Sequence, residues 1–342
     1  MDFLTRLKNT RKPIVLYGMG NGADKIIDTL AKEDIKISGV FASDGFVRKK
    51  NFRGMPLLSY SEAKEQYGDM VVLMSFGSSL PDVLANVKKI ASEQEFYVPE
   101  VPVVGEGLFT DEYALSHKEE LESVYKALAT DMDRAVFASL VNYKLSGDIS
   151  SLYHSASDEE TLYRMLSLTD KEIYMDCGAF SGDTVASFLK YSGGYEKIYA
   201  VEPDGRSYKK LCKNLEGMER VQCINAPLGV GGEIASFSAM GSRGSKLTDN
   251  GEERELKSID GILNGEGASY IKIDVEGWES ATIKGGQQTI KKYRPKLLVS
   301  CYHRREDIFA LPLQILSLNP DYKVHLWHPM YLPPWDAAYI FV

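Results

Sequence analysis

Short, nearly unbroken runs of apolar residues recur along the chain, and most lead into a glycine-rich loop and then a segment with helical spacing of apolar positions. Such runs occur at 14–17, 70–75, 173–175 and 270–273. An unbroken run is typical of a strand buried on both faces of a parallel sheet, and the helical spacing predicts the helices that cover it. Strands that alternate with helices predict an α/β fold with two Rossmann-like, doubly wound domains.

The first of these domains, predicted at residues 1–105, has a glycine loop between a strand and a helix. An acid follows roughly twenty residues after the loop, at the end of the next strand, as in a Rossmann nucleotide site. No acid precedes the loop, so a phosphate could bind at the start of the helix. The candidate residues are Gly18, Gly20, Gly22 and Asp44.

Together with the stretch Gly54-Met-Pro-Leu-Leu58, these residues resemble the Rossmann-like modules of sugar-nucleotide-modifying proteins and sugar acyltransferases. The resemblance implies a nucleotide or a sugar nucleotide as ligand. A domain that keeps the fold without a ligand is the alternative, since a fold does not imply a function.

Residues 106–165 are predicted to be a helical connector, because apolar residues recur at helical spacing over 111–145. A polar stretch at 147–158 marks the approach to the second domain, predicted at 166–342. Further along, 240–255 is rich in Gly, Ser and charge and predicts a loop. This loop either covers a substrate or is an ordinary surface loop, and the sequence slightly favours the surface loop.

The second domain opens with a strand that ends in an acid, followed by a glycine loop with another acid at its end. Carboxylates at this place would repel a pyrophosphate, whereas they would attract the ammonium and sulfonium groups of S-adenosylmethionine. The next strand, 197–202, also ends in an acid, Glu202, which could accept hydrogen bonds from ribose hydroxyls. The pattern therefore favours an adenosylmethionine site. Its predicted residues are Asp176, Gly178, Ala179, Phe180, Gly182, Asp183, Thr184, Glu202, Pro203, Asn225, Ala226 and Asp274.

Two later strands place candidate catalytic side chains at the same edge of the sheet. The strand at 270–274 ends in Asp274, which would face the transferring methyl group, and the strand at 296–301 leads to His303. We expect His303 to act as the general base for a hydroxyl group, with Glu276 as an alternative base or a helix cap. Asp274, Glu276 and His303 could together bind Mg²⁺ or Mn²⁺, but their spacing does not require a metal, and none is expected.

At these residues the second domain resembles FkbM-type methyltransferases. The matching stretches are 141–148, 175–184, 201–203, 271–277, 300–303 and 326–328. The resemblance covers about half the chain, and Ile271-Lys-Ile-Asp-Val-Glu-Gly277 is its most specific part. It implies a class I methyltransferase sheet of seven strands with the last strand antiparallel. It also implies O-methylation, commonly of sugars or secondary metabolites.

Composition and charge narrow the class of protein. The 342 residues are 44% hydrophobic, as in an ordinary globular protein, and the net charge of −8 argues against a broad nucleic-acid surface. The four cysteines are scattered without a C-x-x-C pair, which is typical of reduced thiols in a cytoplasmic protein. No signal peptide and no run long enough to span a bilayer is visible. We therefore expect a cytoplasmic protein with a small-molecule or glycan acceptor, of an oligomeric state that the sequence leaves open.

The leading hypothesis is an S-adenosylmethionine-dependent O-methyltransferase with an added Rossmann-like domain. One alternative is an NAD-linked oxidoreductase that uses the first glycine loop, although no proton-transfer residue lies beside that loop in sequence. The other is a non-catalytic protein that senses a ligand or serves as a scaffold.

Overall fold

The computed structural model describes residues 1–44, 51–238, 246–247 and 252–342. By its internal contacts the chain divides into two units. Unit 1 comprises Met1–Glu119, Arg134–Ala156 and His328–Asp336, and unit 2 comprises Glu120–Asp133, Ser157–Trp327 and Ala337–Val342. The helical segment expected at 106–165 is thus distributed between the two units.

Unit 1 contains a six-stranded sheet in which three central strands are apolar and buried along their whole length. Its elements are α1 (Phe3–Asn9), β1 (Ile14–Tyr17), α2 (Asn21–Ala31), β2 (Gly39–Ala42), β3 (Asn51–Phe52), β4 (Met55–Ser59), α3 (Tyr60–Tyr67), β5 (Val71–Met74), α4 (Pro81–Glu93), β6 (Glu95–Tyr97) and α5 (Asp111–Ser116). The strand order is β3-β4-β2-β1-β5-β6, and all neighbours are parallel except β3 and β4. The parallel part has the order of a doubly wound Rossmann-like sheet, as predicted.

Four helices follow: α6 (Lys118–Ala127), α7 (Asp131–Ser146), α8 (Leu152–Ser155) and α9 (Glu159–Leu166). Asp158 caps α9, because its side chain accepts a hydrogen bond from the Thr161 amide at 2.9 Å. The helical spacing predicted over 111–145 is confirmed by α5, α6 and α7, whereas the polar stretch at 147–158 contains the short helix α8.

Unit 2 contains a seven-stranded sheet. From Ile173 onwards the elements are β7 (Ile173–Cys177), α10 (Asp183–Ser192), β8 (Lys197–Val201), α11 (Gly205–Asn214), β9 (Val221–Ile224), β10 (Ile234–Ser238), β11 (Lys246–Leu247), β12 (Glu252–Glu255), α12 (Ile259–Leu263), β13 (Tyr270–Ile273), α13 (Glu279–Gly285), α14 (Gln287–Tyr293), β14 (Lys296–Ser300), α15 (Asp307–Leu318), β15 (Val324–Trp327) and β16 (Ala338–Phe341). The order is β15-β16-β14-β13-β7-β8-β9, and β16 is antiparallel to both neighbours. The predicted seven-stranded sheet with an antiparallel last strand is confirmed.

A small antiparallel sheet of β11, β10 and β12 lies within the stretch between β9 and β13. The loop predicted at 240–255 lies largely outside the described residues; of it, the structure gives β11 and β12.

Aromatic packing helps to set the register at the centre of the large sheet. Tyr174 on β7 and Tyr270 on β13 are paired across the two strands, and their rings stack with centroids 4.7 Å apart. Both side chains are buried, and Phe188 of α10 stacks on Tyr174 at 4.5 Å. In this register the carboxyl ends of β7 and β13 lie side by side, so the loops that follow these two strands are neighbours.

Within the described parts of the chain, no helix combines the length and the apolar character that crossing a bilayer requires.

Candidate active site

The loop after β7 is a tight turn that needs glycine. Gly178 has φ +90°, and a Cβ there would lie 1.9 Å from the carbonyl oxygen of Asp274. The amides of Gly178 and Ala179 both donate to the carbonyl of Val201, at 3.0 and 2.9 Å. The loop is therefore fastened to the ends of β8 and β13, and α10 begins directly after Gly182.

Glu202 directly follows β8 and faces this loop. Its carboxylate accepts hydrogen bonds from the amides of Phe180 (2.9 Å) and Asp204 (2.8 Å). Phe180 reaches it with φ +46°, an unusual value for a side-chain-bearing residue. The side chain of Glu202 is buried, and this burial raises its pKa to about 7, although the two amides act in the opposite direction.

Asp176 lies beneath the loop and not at its surface. Its side chain is fully buried, accepts a hydrogen bond from the Thr184 hydroxyl, and has the Lys272 ammonium 3.3 Å away. Lys272 also donates to the carbonyl of Gly178 at 3.1 Å. Burial alone would lower the pKa of Lys272, but Asp176 and Asp274 raise it above its usual value. In this structure, Asp176 and Lys272 hold the loop in place.

Lys272 was not among the residues predicted for the site. The signal was present, since this lysine interrupts the apolar run of β13. A charged side chain in a strand buried on both faces needs a partner, and the partner is Asp176 on the neighbouring strand.

The residues expected near the adenine, Asn225 and Ala226, lie at the carboxyl end of β9. The side-chain amide of Asn225 donates to the carbonyls of Glu202 (2.8 Å) and Pro203 (3.0 Å). Ala226 follows it and is buried. Arg254 of β12, which the sequence did not single out, donates to the same Pro203 carbonyl at 2.5 Å and to the Asn225 carbonyl at 2.8 Å.

Four side chains cluster where β13 and β14 end and α13 begins. The Nδ1 atom of His303 is 3.0 Å from a carboxylate oxygen of Glu279, and its Nε2 atom is 3.5 Å from Glu276 and 3.7 Å from Asp274. His303 and Glu279 are buried, whereas the side chains of Asp274 and Glu276 are 25% and 28% exposed. The structure thus brings the three predicted catalytic residues together, with His303 beneath the two exposed acids.

The charged groups in this cluster shift one another's pKa values. Burial would lower the pKa of His303, but Glu279, Glu276 and Asp274 together raise it well above the usual value. Burial likewise opposes the charge on Asp274, but Lys272 and His303 bring its pKa below the ordinary value.

Glu279 was not among the residues predicted for the site. The only sequence signal for Glu279 is its place in the first turn of α13. There its Oε1 atom accepts hydrogen bonds from the amides of Val275 (2.9 Å) and Gly277 (3.2 Å).

The candidate nucleotide residues of the N-terminal domain lie in unit 1. Gly18 and Gly20 have φ values of +107° and +118°, and Gly20 caps α2. A Cβ on Gly22 would lie 2.1 Å from the Ser75 carbonyl oxygen, so this glycine lets α2 approach the end of β5. The Asp44 carboxylate accepts a hydrogen bond from the Tyr60 amide at 3.0 Å, at the start of α3. A ligand at these residues stays a prediction.

The C-terminal half of the chain is similar to known methyltransferases. Residues 176–323 match the family model described as the methyltransferase FkbM domain. The crystal structure of methyltransferase FkbM from Methylobacillus flagellatus is similar over 99% of this chain and 92% of that one, with 19% identity and a TM-score of 0.74, which shows a shared fold. A comparison with curated protein sequences found no match.

Two further structures are similar over about half the chain. Precorrin-6y C5,15-methyltransferase from Geobacter metallireducens has 13% identity and a TM-score of 0.35, over 53% of this chain and 84% of that one. Aeropyrum pernix fibrillarin, in complex with S-adenosylmethionine, has 11% identity and a TM-score of 0.35, over 54% and 74%. At these scores neither bears on the site.

Proposed function

Because residues 176–323 are an FkbM methyltransferase domain, we propose that this chain transfers a methyl group from S-adenosylmethionine to a hydroxyl oxygen of a sugar, a glycan or a related small metabolite. One observation carries the proposal: the carboxylates of Glu202, Asp274 and Glu276 stand at the carboxyl ends of β8 and β13, around the glycine loop. Such a group of acids attracts a positively charged donor and repels a pyrophosphate.

The residues present fit the donor. Each oxygen of Glu202 accepts one backbone amide, and a carboxylate oxygen has capacity for a second hydrogen bond, so both ribose hydroxyls could donate to it. Asp274, with a partly exposed carboxylate, would accept from the ammonium group. Asn225 and Ala226 would flank the adenine. Asp176 would act indirectly, by holding the loop through Thr184 and Lys272.

When bound, S-adenosylmethionine supplies a methyl group on a sulfonium, which becomes a neutral thioether as the new O–CH₃ bond forms and the S–CH₃ bond breaks. The chain must hold the acceptor in line and take the hydroxyl proton. Glu276 is the assigned proton acceptor, because its side chain is 28% exposed whereas that of His303 is 0% exposed. His303 then acts as a positioning residue, which contacts both Glu276 and Asp274 from beneath.

The test is a labelled-methyl assay with the purified full chain against a panel of sugars, glycans and hydroxylated metabolites, read by mass spectrometry. Glu276→Gln should lower turnover by about 10²- to 10⁴-fold, as expected for loss of a general base. Its affinity for S-adenosylmethionine, measured by calorimetry, should remain close to that of the wild type. Glu216→Gln, a change at an exposed acid of unit 2, is the control and should leave both quantities unchanged.

Two results would contradict the proposal. One is a wild-type protein that does not bind S-adenosylmethionine but binds NAD. The other is a Glu276→Gln variant with full turnover, which would remove the assigned base while leaving the donor assignment in place.

A further inference from the structure

The cluster at the end of β13 and β14 contains buried polar atoms without hydrogen-bond partners. Over the described residues, nine buried side-chain nitrogen or oxygen atoms lack a partner, and three of them are Glu279 Oε2 and the Nδ1 and Nε2 atoms of His303. Both side chains are at most 1% exposed. The carboxylates near His303 contact it as charges, without hydrogen-bond geometry. Since buried polar atoms are nearly always paired, these three indicate that a further ligand belongs to the cluster.

The charge balance indicates the sign of that ligand. Asp274, Glu276 and Glu279 bring three carboxylates to within 3.0–3.7 Å of one imidazole, so a charged His303 would still leave an excess of two negative charges. The nearest lysine, Lys272, is 3.8 Å from Asp274 and closer to Asp176, at 3.3 Å. Glu279 is buried and the other two acids are only partly exposed, so this excess of negative charge is unfavourable unless a cation compensates it.

We propose that Asp274, Glu279 and His303 bind a divalent cation, with Mn²⁺ as the favoured ion, and that His303 releases its extra proton to solvent on binding, because only the neutral imidazole ligates a metal. One potential ligand atom from each residue lies within 4.8 Å of the others. Ligands about 2.2 Å from one octahedral ion are roughly 3 to 4.5 Å apart, so the spacing suits a shared ion. Two carboxylates with one imidazole suit Mn²⁺ better than Mg²⁺, which prefers oxygen ligands alone.

This inference rests on the proposed function and specifies the acceptor. Asp274 and Glu276 are the partly exposed acids of the cluster, so the acceptor would reach the ion from their side. Asp274 would bind the ion through Oδ1, the oxygen nearest His303, and keep Oδ2 for the ammonium group of the donor. There the ion would bind the acceptor's hydroxyl oxygen and lower the pKa of that hydroxyl, and Glu276 would take the proton. An acceptor with two adjacent oxygen atoms, such as a vicinal diol of a sugar, would bind best because it can chelate the ion.

The experiment measures Mn²⁺ binding by electron paramagnetic resonance, since the six-line signal of free Mn²⁺ is lost on binding. Full-length protein is first dialysed against a chelator and then titrated with MnCl₂ alone. We expect the wild type to bind one ion per chain. Glu279→Gln and His303→Gln should each weaken binding by at least about tenfold, as loss of a ligand or its support does.

Glu172→Gln is the matched control. Glu172 is also a buried acid of unit 2, but it directly precedes β7 and so lies at the amino ends of the strands, away from the cluster. There it pairs with Lys296 at 2.9 Å. This variant should bind Mn²⁺ like the wild type, which separates loss of a ligand from general destabilisation. Circular dichroism of each variant checks that it folds.

A chelator-treated wild type that binds no Mn²⁺ overturns the inference, whatever the variants do. If that same protein still methylates its acceptor at the full rate, the proposed function stands without the metal. If Mn²⁺ binds as expected and no acceptor is methylated with or without it, the metal site stands and the proposed function fails.

Discussion

Glu202 shows how burial prepares a single carboxylate for a ligand. Its side chain is 7% exposed, and burial raises its pKa to about 7. Two backbone amides hold it in one orientation, which limits the cost of keeping an acid at this place. Near neutral pH this residue therefore changes between a neutral and a charged form.

The pKa of Glu202 predicts a pH dependence of folding. Between pH 4.5 and about 7 the folded chain holds a proton at Glu202 that the unfolded chain has released. The free energy of unfolding should therefore fall as pH rises through this window, by about 3 kcal/mol in total for this group. Urea unfolding of the wild type and of Glu202→Gln at pH 4.5 and pH 7.5 measures the difference between the two pH dependences.

Donor affinity should change in the opposite direction. Both ribose hydroxyls can donate to the carboxylate, whereas protonation leaves the carboxyl group one good acceptor oxygen and no charge, so affinity for S-adenosylhomocysteine should increase about tenfold between pH 6 and pH 8. Calorimetric titrations at several pH values give this profile. Glu202→Gln should bind weakly with a flat profile; a variant that keeps the wild-type profile would show that another group is responsible.

Gly178 occupies a position at which the backbone geometry strongly disfavours any residue with a side chain. A methyl group there would lie 1.9 Å from a backbone oxygen, and the φ of +90° is unfavourable for alanine. Gly178→Ala should lower the free energy of unfolding by roughly 3 kcal/mol or more. Gly193→Ala is the control: its φ is +74° and no atom lies within 4 Å of the added Cβ, so it should cost only about 1–2 kcal/mol. Equal costs in urea unfolding would contradict the argument.

At the scale of elements, the pairing of β7 with β13 brings two buried charges together. The register places Asp176 opposite Lys272, and the ammonium lies 3.3 Å from the carboxylate. The pair holds the glycine loop, because Lys272 also donates to the Gly178 carbonyl. Each charge depends on the other, since neither side chain is more than 9% exposed.

Lys272→Met should therefore leave the buried Asp176 without its cation and cost about 3–5 kcal/mol of stability. Adding Asp176→Asn should recover part of this loss, so that the double variant loses less than the two single variants added together. Lys197→Met is the control on the same sheet, because Lys197 is 31% exposed and its pair with Glu266 is worth about 1 kcal/mol or less. Strict additivity in the urea-unfolding cycle would show that the pair is not coupled.

For the whole molecule, each unit has its own sheet, and the residues assigned to the donor all lie in unit 2. A ligand that binds only the folded form stabilises it by mass action. S-Adenosylhomocysteine at about 100 times its dissociation constant should therefore raise the free energy of unfolding by about 2.7 kcal/mol. Hydrogen exchange should show new protection at 177–184, with no change at 18–22.

NAD and a UDP-sugar are the comparison ligands for that experiment. Protection at 18–22 by either of them would support a nucleotide site in unit 1, and its absence would favour a structural role for that unit. Protection by NAD alone, without any effect of S-adenosylhomocysteine, would contradict the proposed function.

The sequence by itself determined the α/β class, the two sheets, the glycine loops and the acids at strand ends. These features are local, because apolar runs, glycine positions and strand-terminal acids depend on neighbouring residues along the chain. It also brought Asp274, Glu276 and His303 to one edge, since parallel strands end on the same side.

Only the tertiary structure decided which of these charges are buried and what they contact. Strand register pairs Lys272 with Asp176. Glu279 contacts His303 although 24 positions separate them in sequence. The same packing placed His303 beneath Glu276, and for this reason we propose the acid instead of the histidine as the base. Pairing between distant segments depends on register and side-chain packing across the whole sheet, and no local pattern contains that information.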